Sequence, residues 1–330
     1  VARRNRTIIR QEQAFAAGDA AILDNLPVNP LSFVDVTLRM ANAAALTLAS
    51  YANILGVLTR LEILFKGSSI VSLTPADLFF LDYAMGWHQP VAQPHADTGA
   101  TDRLAITLRI CLGRWPFHLT TGFPASRAGE LQIRSTPAAA FTNVATPSLN
   151  IECEEILDGA FASYMKYTTL SRTPTATGEQ DVDLPIGNKY AGIVLFATTV
   201  PTGTAVTSSM REVRLLLDNQ EAYIPRTRWD TLHAQAQAKY AMAAWLLEHE
   251  HRLAAGAPAG DALVERAQQT GLTIMANYGL LDFDPLRTDD YLLDTAGRSQ
   301  VKLRINADVT DAQRIIPVEI LASGATPAAA

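Results

Sequence analysis

Apolar and polar residues alternate with a period of two along much of this chain. Leu61, Ile63 and Phe65 alternate with Arg60, Glu62, Leu64 and Lys66. Val213, Leu215 and Leu217 alternate with Glu212, Arg214, Leu216 and Asp218. That period places every second side chain on one face, as in a strand with one buried side. Each run ends in a turn pair, Lys66-Gly67 or Asp218-Asn219, containing a residue that tolerates positive φ. Each is then followed by a helix-start signal, Thr74-Pro-Ala-Asp77 or Thr227-Arg-Trp-Asp230. A Thr N-cap with an acid three residues on satisfies free N–H groups and suits the helix dipole. The strands stand 152 residues apart and the caps 153, which predicts a duplicated unit with one residue gained in the turn.

The repeat extends in both directions. Leu26-Pro27-Val28 echoes Leu184-Pro185-Ile186, and a strand is predicted after each: 34–40, then 189–196 (KYAGIVLF), apolar on both faces. A segment apolar on both faces predicts a fully covered strand. Leu104 to Leu112 alternates most regularly of all. Leu108-Arg109-Ile110 echoes Leu303-Arg304-Ile305, and Leu131-Gln132-Ile133 echoes Val318-Glu319-Ile320. Further strands are predicted near 117–120, 130–134, 149–156, 162–171, 272–278, 300–306 and 315–321. Helices are predicted over 75–87 and 228–253, with a further helical piece at 261–270. Short strands with one helix per half, and no helix between most strands, exclude a parallel α/β fold. They predict a mainly β chain of two tandem jelly-roll β-sandwich domains, each with an inserted helix.

The domains are placed as follows. Residues 1–25 form a basic arm with a helix-like QEQAFAAGDAAIL, and 26–140 the first jelly roll. Residues 141–325 form the second, with a helical insertion at 228–270, and 326–330 a flexible tail. Residues 135–148 read as a linker. The 330 residues suffice for two domains, and 48% apolar content supports large cores. The net charge of −6 argues against the whole chain being a nucleic-acid binder. The basic start has no apolar core and is not a secretory signal. Met40 to Thr59 is uncharged and near spanning length, but Asn42, Thr47, Ser50, Tyr51 and Asn53 interrupt it. A connection between strands is the reading adopted.

Candidate chemistry is sparse. There is no nucleophile elbow, P-loop, dinucleotide fingerprint, zincin helix or C-x-x-C. Cys111 and Cys153 read as buried thiols, with a disulfide the open alternative. Glu248 and His251 share a helix face beside His249 and Glu250, and a solvated helix end competes with a metal there. Asp282, Asp284, Asp289, Asp290 and Asp294 are rich in oxygen but lack EF-hand spacing. His88 and His95 flank a Pro-rich loop without a clear third ligand. Trp115, Trp229 and Trp245 read as packing residues. No catalytic, cofactor-binding or metal residue is assigned, and no cofactor is expected.

The stretch Asp183-Leu-Pro-Ile-Gly187 with KYAGIVLF, then VRLLLDNQEAYIPRTRWDTLHAQ, and the first-half LTRLEILFKGSSIVSLTPADLFF carry a resemblance. The chain resembles the double jelly-roll major capsid proteins of tailless icosahedral viruses. That lineage includes tectivirus- and corticovirus-like bacteriophages and the adenovirus hexon. The resemblance spans about residues 26–325 and consists of loose patterns. It implies a non-enzymatic structural virion protein: two jelly rolls side by side, a homotrimer of pseudo-hexagonal outline, and trimers tiling an icosahedral shell. It further implies contacts with neighbouring trimers, penton and minor capsid proteins, and with an internal membrane or genome through the arm. Assembly is expected in the host cytoplasm. A two-sandwich glycan-active hydrolase and a phage adhesin or lectin-like binding module are the alternatives. The loops are short for a hexon, and the 228–270 insertion has no placed counterpart.

Overall fold

The computed structural model describes residues 3–44, 49–90, 103–202, 204–248, 251–253, 263–265 and 275–324. Its strands are β1 (Arg4–Ala14), β2 (Ile22–Asn25), β3 (Leu31–Asn42), β4 (Leu58–Phe65), β5 (Ser68–Leu73), β6 (Arg103–Cys111) and β7 (Leu131–Pro137). Next come β8 (Val144–Ile156), β9 (Ser163–Thr168), β10 (Leu170–Arg172), β11 (Gly178–Asp183), β12 (Lys189–Ala197), β13 (Glu212–Leu217), β14 (Gln220–Glu221) and β15 (Thr227–Arg228). The last are β16 (His251–Leu253), β17 (Leu263–Glu265), β18 (Tyr278–Asp282), β19 (Leu293–Asp294), β20 (Val301–Ala307) and β21 (Gln313–Ala322). Three helices accompany them: α1 (Tyr51–Leu55), α2 (Pro75–Ala84) and α3 (Trp229–Glu248). The chain divides into two compact units. The first is Val1–Met165 with Tyr240–Met275 and Ala322–Ala330; the second is Lys166–Lys239 with Ala276–Leu321.

In the first unit one antiparallel sheet runs β1-β8-β3-β6. Another runs β5-β4-β7-β2. Val34, Val36 and Leu38 of β3, Ile106 and Leu108 of β6, and Leu61, Ile63 and Ile133 of β4 and β7 are all buried. The second unit repeats the plan: β21-β12-β18 on one side, β14-β13-β20-β11 on the other. Tyr190, Ile193 and Leu195 of β12 meet Val213, Leu215, Leu303 and Ile305 of β13 and β20 in a single apolar core. The strand orders β8-β3-β6 and β21-β12-β18 correspond, as do β5-β4-β7-β2 and β14-β13-β20-β11. Two units of one topology from one chain are what a duplicated barrel leaves behind.

The duplication reaches single hydrogen bonds. Lys66 and Gly67 have φ of 51° and 83°, Asp218 and Asn219 of 51° and 65°. Both pairs make two-residue hairpins closing at Phe65–Ser68 and Leu217–Gln220, as the twist of paired strands favours. The Lys66 N–H donates to Glu130 and that of Asp218 to Gln300. The Leu26 N–H donates to Leu131 and that of Leu184 to Val301. The Leu-Pro lead-ins therefore mark the same corner of each unit.

Several sequence expectations change. The turns are equal in length, so the gained residue is not there. Leu215 accepts from Ala222 and donates to Ile224, leaving Tyr223 between them at φ 61°, an inserted bulge residue in the return strand. The Leu-Arg-Ile echo pairs the wrong strands: β20 answers to β7, and β6 to β18. Any half-buried strand carries such a triplet, so it does not fix correspondence. Residues 117–120 form turns, not a strand, and residues 135–148, read as a linker, end β7 and begin β8. The strand expected over 272–278 begins at Tyr278, residues 271–274 lying outside the described residues. The helical piece expected at 261–270 is described only at 263–265, which is β17. The uncharged 40–59 stretch contains the end of β3 and the short α1, and no described helix is long and apolar enough to cross a membrane.

The two helix starts also differ. Thr74 accepts from the Asp77 N–H at 3.1 Å, and Asp77 accepts from the Thr74 N–H, a complete capping box. Thr227 makes no such cap. It is bridged to Val213 in β15, and its hydroxyl donates to the Pro225 carbonyl at 2.7 Å. The first helical N–H, that of Trp229, is taken by the Arg211 carbonyl. Thr74→Ala is therefore expected to lose about 1 kcal/mol of stability, and Thr227→Ala a few tenths at most, in paired urea unfolding curves. Equal losses would restore the second cap.

Candidate assembly surface

The basic segment read as an arm is a strand. Residues 4–14 form β1 on β8, residues 16–19 a turn and residues 22–25 β2. Gln- and Ala-rich letters suggested a helix there, but the carboxylates of β8 and its neighbours prevail. Arg3 pairs with Asp158 at 3.2 Å, Arg4 with Glu154 at 3.6 Å, and Arg10 with Asp24 at 2.8 Å. Arg6 reaches both Glu152 at 2.5 Å and Asp35 at 3.4 Å. Asn5 and Thr7 donate to the buried Glu155, which Asn29 also contacts. Arg3, by donating to it, holds the Asp158 carboxyl below its usual range. Burial pushes the Glu154 carboxyl up, with Arg4 and then Arg6 opposing. The acids Glu152, Glu154 and Glu155 opposite Arg4 and Arg6 were the sequence signal for this pairing.

A second cluster lies where β3, β6 and α2 meet. Arg109 of β6 makes a two-toothed contact with the buried Asp35, at 2.8 and 2.9 Å. Its guanidinium also sits 3.8 Å from the centre of the Phe33 ring. Phe33 meets the exposed Phe117 edge-on at 5.2 Å, and Arg4 covers Phe117 at 5.4 Å. Behind them, Asp82 of α2 is fully buried and accepts from the Arg109 backbone N–H at 2.9 Å. Burial raises the Asp82 carboxyl well above the usual range; the hydrogen bond from Arg109 and its charge oppose this incompletely.

That shift has a signed consequence. A carboxyl raised on folding binds protons more readily in the folded chain, so its contribution weakens as pH rises from the usual aspartate range through the raised value. Asp82→Asn is expected to raise the melting temperature at pH 7–8 and to flatten its decline with pH. A melting temperature lowered equally at all pH values would show that the charge is not what Asp82 costs the fold.

The other candidates are dispersed. Asp282 pairs with Lys239 at 2.6 Å and accepts from the Asp284 N–H, while Asp284 accepts from the Asp289 N–H. Asp290 accepts from Thr288, and Asp294 from the Ala296 N–H. These acids shape turns; among the described residues no three His, Cys, Asp or Glu side chains gather as a metal site. Cys111 and Cys153 are buried and unbridged, and burial pushes both thiols up. His88 is half-buried, and burial lowers its pKa. His95, His249 and Glu250, and the side chains of Glu248, His251 and Trp245, lie outside the described residues. Trp229 is in the second unit's core and Trp115 is half-buried.

No protein-family model and no curated protein matches the sequence. Solved structures do match. The STIV (Sulfolobus Turreted Icosahedral Virus) major capsid protein superposes with a TM-score of 0.67 at 15% identity, covering 97% of each chain. The major capsid protein of bacteriophage PM2 gives 0.61 at 10% identity, over 97% of this chain and 98% of that one. A chain of the PBCV-1 virus capsid gives 0.57 at 9%, over 98% and 94%. At these identities the likeness is one of architecture, extending from end to end. The chain has the double jelly-roll fold that these major capsid proteins share.

Proposed function

We propose that this chain is a major capsid protein, a structural component of a virion without enzymatic activity. The observation that carries the reading is the end-to-end match of a duplicated barrel, 97% of each chain with the STIV protein. Shell building needs complementary surfaces and no reactive centre. A chain with two units of one topology supplies six similar positions from three copies, so a homotrimer can meet neighbours with near six-fold packing. Trimers of this kind tile an icosahedral shell, with penton and minor capsid proteins at its special positions, in particles assembled in the host cytoplasm. A contact of residues 1–25 with an internal membrane or genome would have to draw Arg3, Arg4, Arg6 and Arg10 away from their own carboxylates.

Among the described residues the alternatives lack a supporting site. A glycan hydrolase calls for paired carboxylates across a cleft. One described cavity, about 680 Å³ between Phe65, Phe123 and Tyr164, is lined by one acid, Glu130. Another, about 200 Å³, is likewise lined by one, Glu12. An adhesin calls for clustered exposed aromatics; among the described residues these are Phe117, Tyr223 and Tyr291, in separate loops. Light scattering of the purified chain tests the proposal. The expected mass is about three times the 35.7 kDa of one chain. A monomer at every concentration would overturn it.

A further inference from the structure

The strand β1 is attached in an unusual way. No residue from 3 to 14 is buried, and the first buried side chain is Phe15, whose ring meets Phe141 edge-on at 6.0 Å. Ile8, which a packed strand would cover, is 59% exposed. Among the described residues β1 pairs only with β8, and its ladder shifts register twice, between Ile8 and Arg10 and between Arg10 and Gln13. Glu12 beside the second shift takes φ 48°. Register breaks weaken an edge strand's hold on its sheet.

Beside its backbone ladder, β1 is held by charged side-chain contacts. Arg3, Arg4, Arg6 and Arg10 each meet a carboxylate, and those acids belong to β2, β3, β8 and the residue pair following β8. The acids are the more buried partners: Glu154 and Asp35 are 3% exposed, while the arginine side chains range from 37% to 73%. Salt ions therefore reach the cationic side of every pair, where screening acts most strongly. The segment after the strand is suited to bending. Ala16 and Asp19 close a turn on each other, and Gly18 takes φ 76°.

We propose that residues 3–14 are a charge-latched arm. It is docked as β1 at low ionic strength and released from β8 when salt screens its arginine–carboxylate contacts, with Phe15 as the fixed point. Release returns Glu154 and Glu155 to water and frees Asp35 of Arg6, leaving Asp35 to Arg109. The inference rests on the first unit alone and does not depend on the shell reading.

Amide hydrogen exchange on the full chain, followed peptide by peptide, tests it. Between 0.1 and 1 M NaCl the screening length falls from about 10 Å to about 3 Å. Exchange in residues 3–14 is expected to accelerate about 10-fold or more, while β3 amides keep their protection as the folding control. The double variant Arg6→Gln/Arg10→Gln should show fast exchange in 3–14 at 0.1 M NaCl with β3 unchanged. Salt-independent exchange of residues 3–14 in the parent chain would overturn the proposal by itself. Full protection of 3–14 in the double variant would also overturn it, by showing that the backbone ladder suffices.

Discussion

Replacing Lys166 by methionine is expected to cost about 3–5 kcal/mol of folding stability. Lys166 and Glu319 form an ion pair at 3.4 Å with side chains 5% and 0% exposed. Asn188 donates to the other Glu319 oxygen at 2.6 Å, while Oε1 has no hydrogen bond of its own. Methionine fills the volume of the lysine stem but leaves Glu319 charged, buried and short of its cation. An uncompensated charge in a dry interior is among the largest single penalties a fold can carry. The double variant Lys166→Met/Glu319→Gln removes that charge and leaves Asn188 an acceptor, so most of the loss should return. Denaturant unfolding followed by circular dichroism measures both. A single variant within about 1 kcal/mol of the parent would mean that water reaches Glu319, contrary to its burial.

Trp229→Ala should cost a similar amount, about 3–5 kcal/mol. Trp229 opens α3 and is 3% exposed within the second unit's core. Its ring lies against Gly279 of β18, where an added Cβ would come within 3.3 Å of ring carbon Cζ3 and 3.2 Å of the Leu232 Cβ. The glycine and the indole are thus shaped to each other, and removing the ring leaves a cavity that the barrel walls cannot close. Gly279→Ala probes the same contact from the other side and is expected to cost about 1–3 kcal/mol through overpacking. Losses under about 1 kcal/mol for both would show that α3 is not seated on this sheet.

The barrels were legible in the sequence because each half-buried strand repeats every second residue. β6, β7 and β20 alternate buried and half-buried positions without a break along most of their length. Both hairpins were legible from Lys66-Gly67 and Asp218-Asn219, since few residue pairs accept positive φ twice in succession. What failed was decided by partners distant in sequence. Residues 11–23 carry helix-favouring Gln and Ala, and pairing with β8, more than a hundred residues on, makes Arg4–Ala14 a strand. Thr227 has the letters of an N-cap, but pairing with Val213 holds it in a strand. The Asp35–Arg109–Asp82 cluster unites three elements with no local motif between them. Strand correspondence failed for a further reason: short triplets such as Leu-Arg-Ile recur wherever one face is buried, so only the hydrogen-bond ladder tells β7 from β6.

The proposed shell role predicts that one chain's two units of like topology, taken three times, would present six lobes. Negative-stain electron microscopy of the purified protein tests this most directly. The expected class averages show three-fold particles with six barrel-sized lobes in a hexagonal outline. Isolated two-lobed particles at every concentration and salt would contradict it.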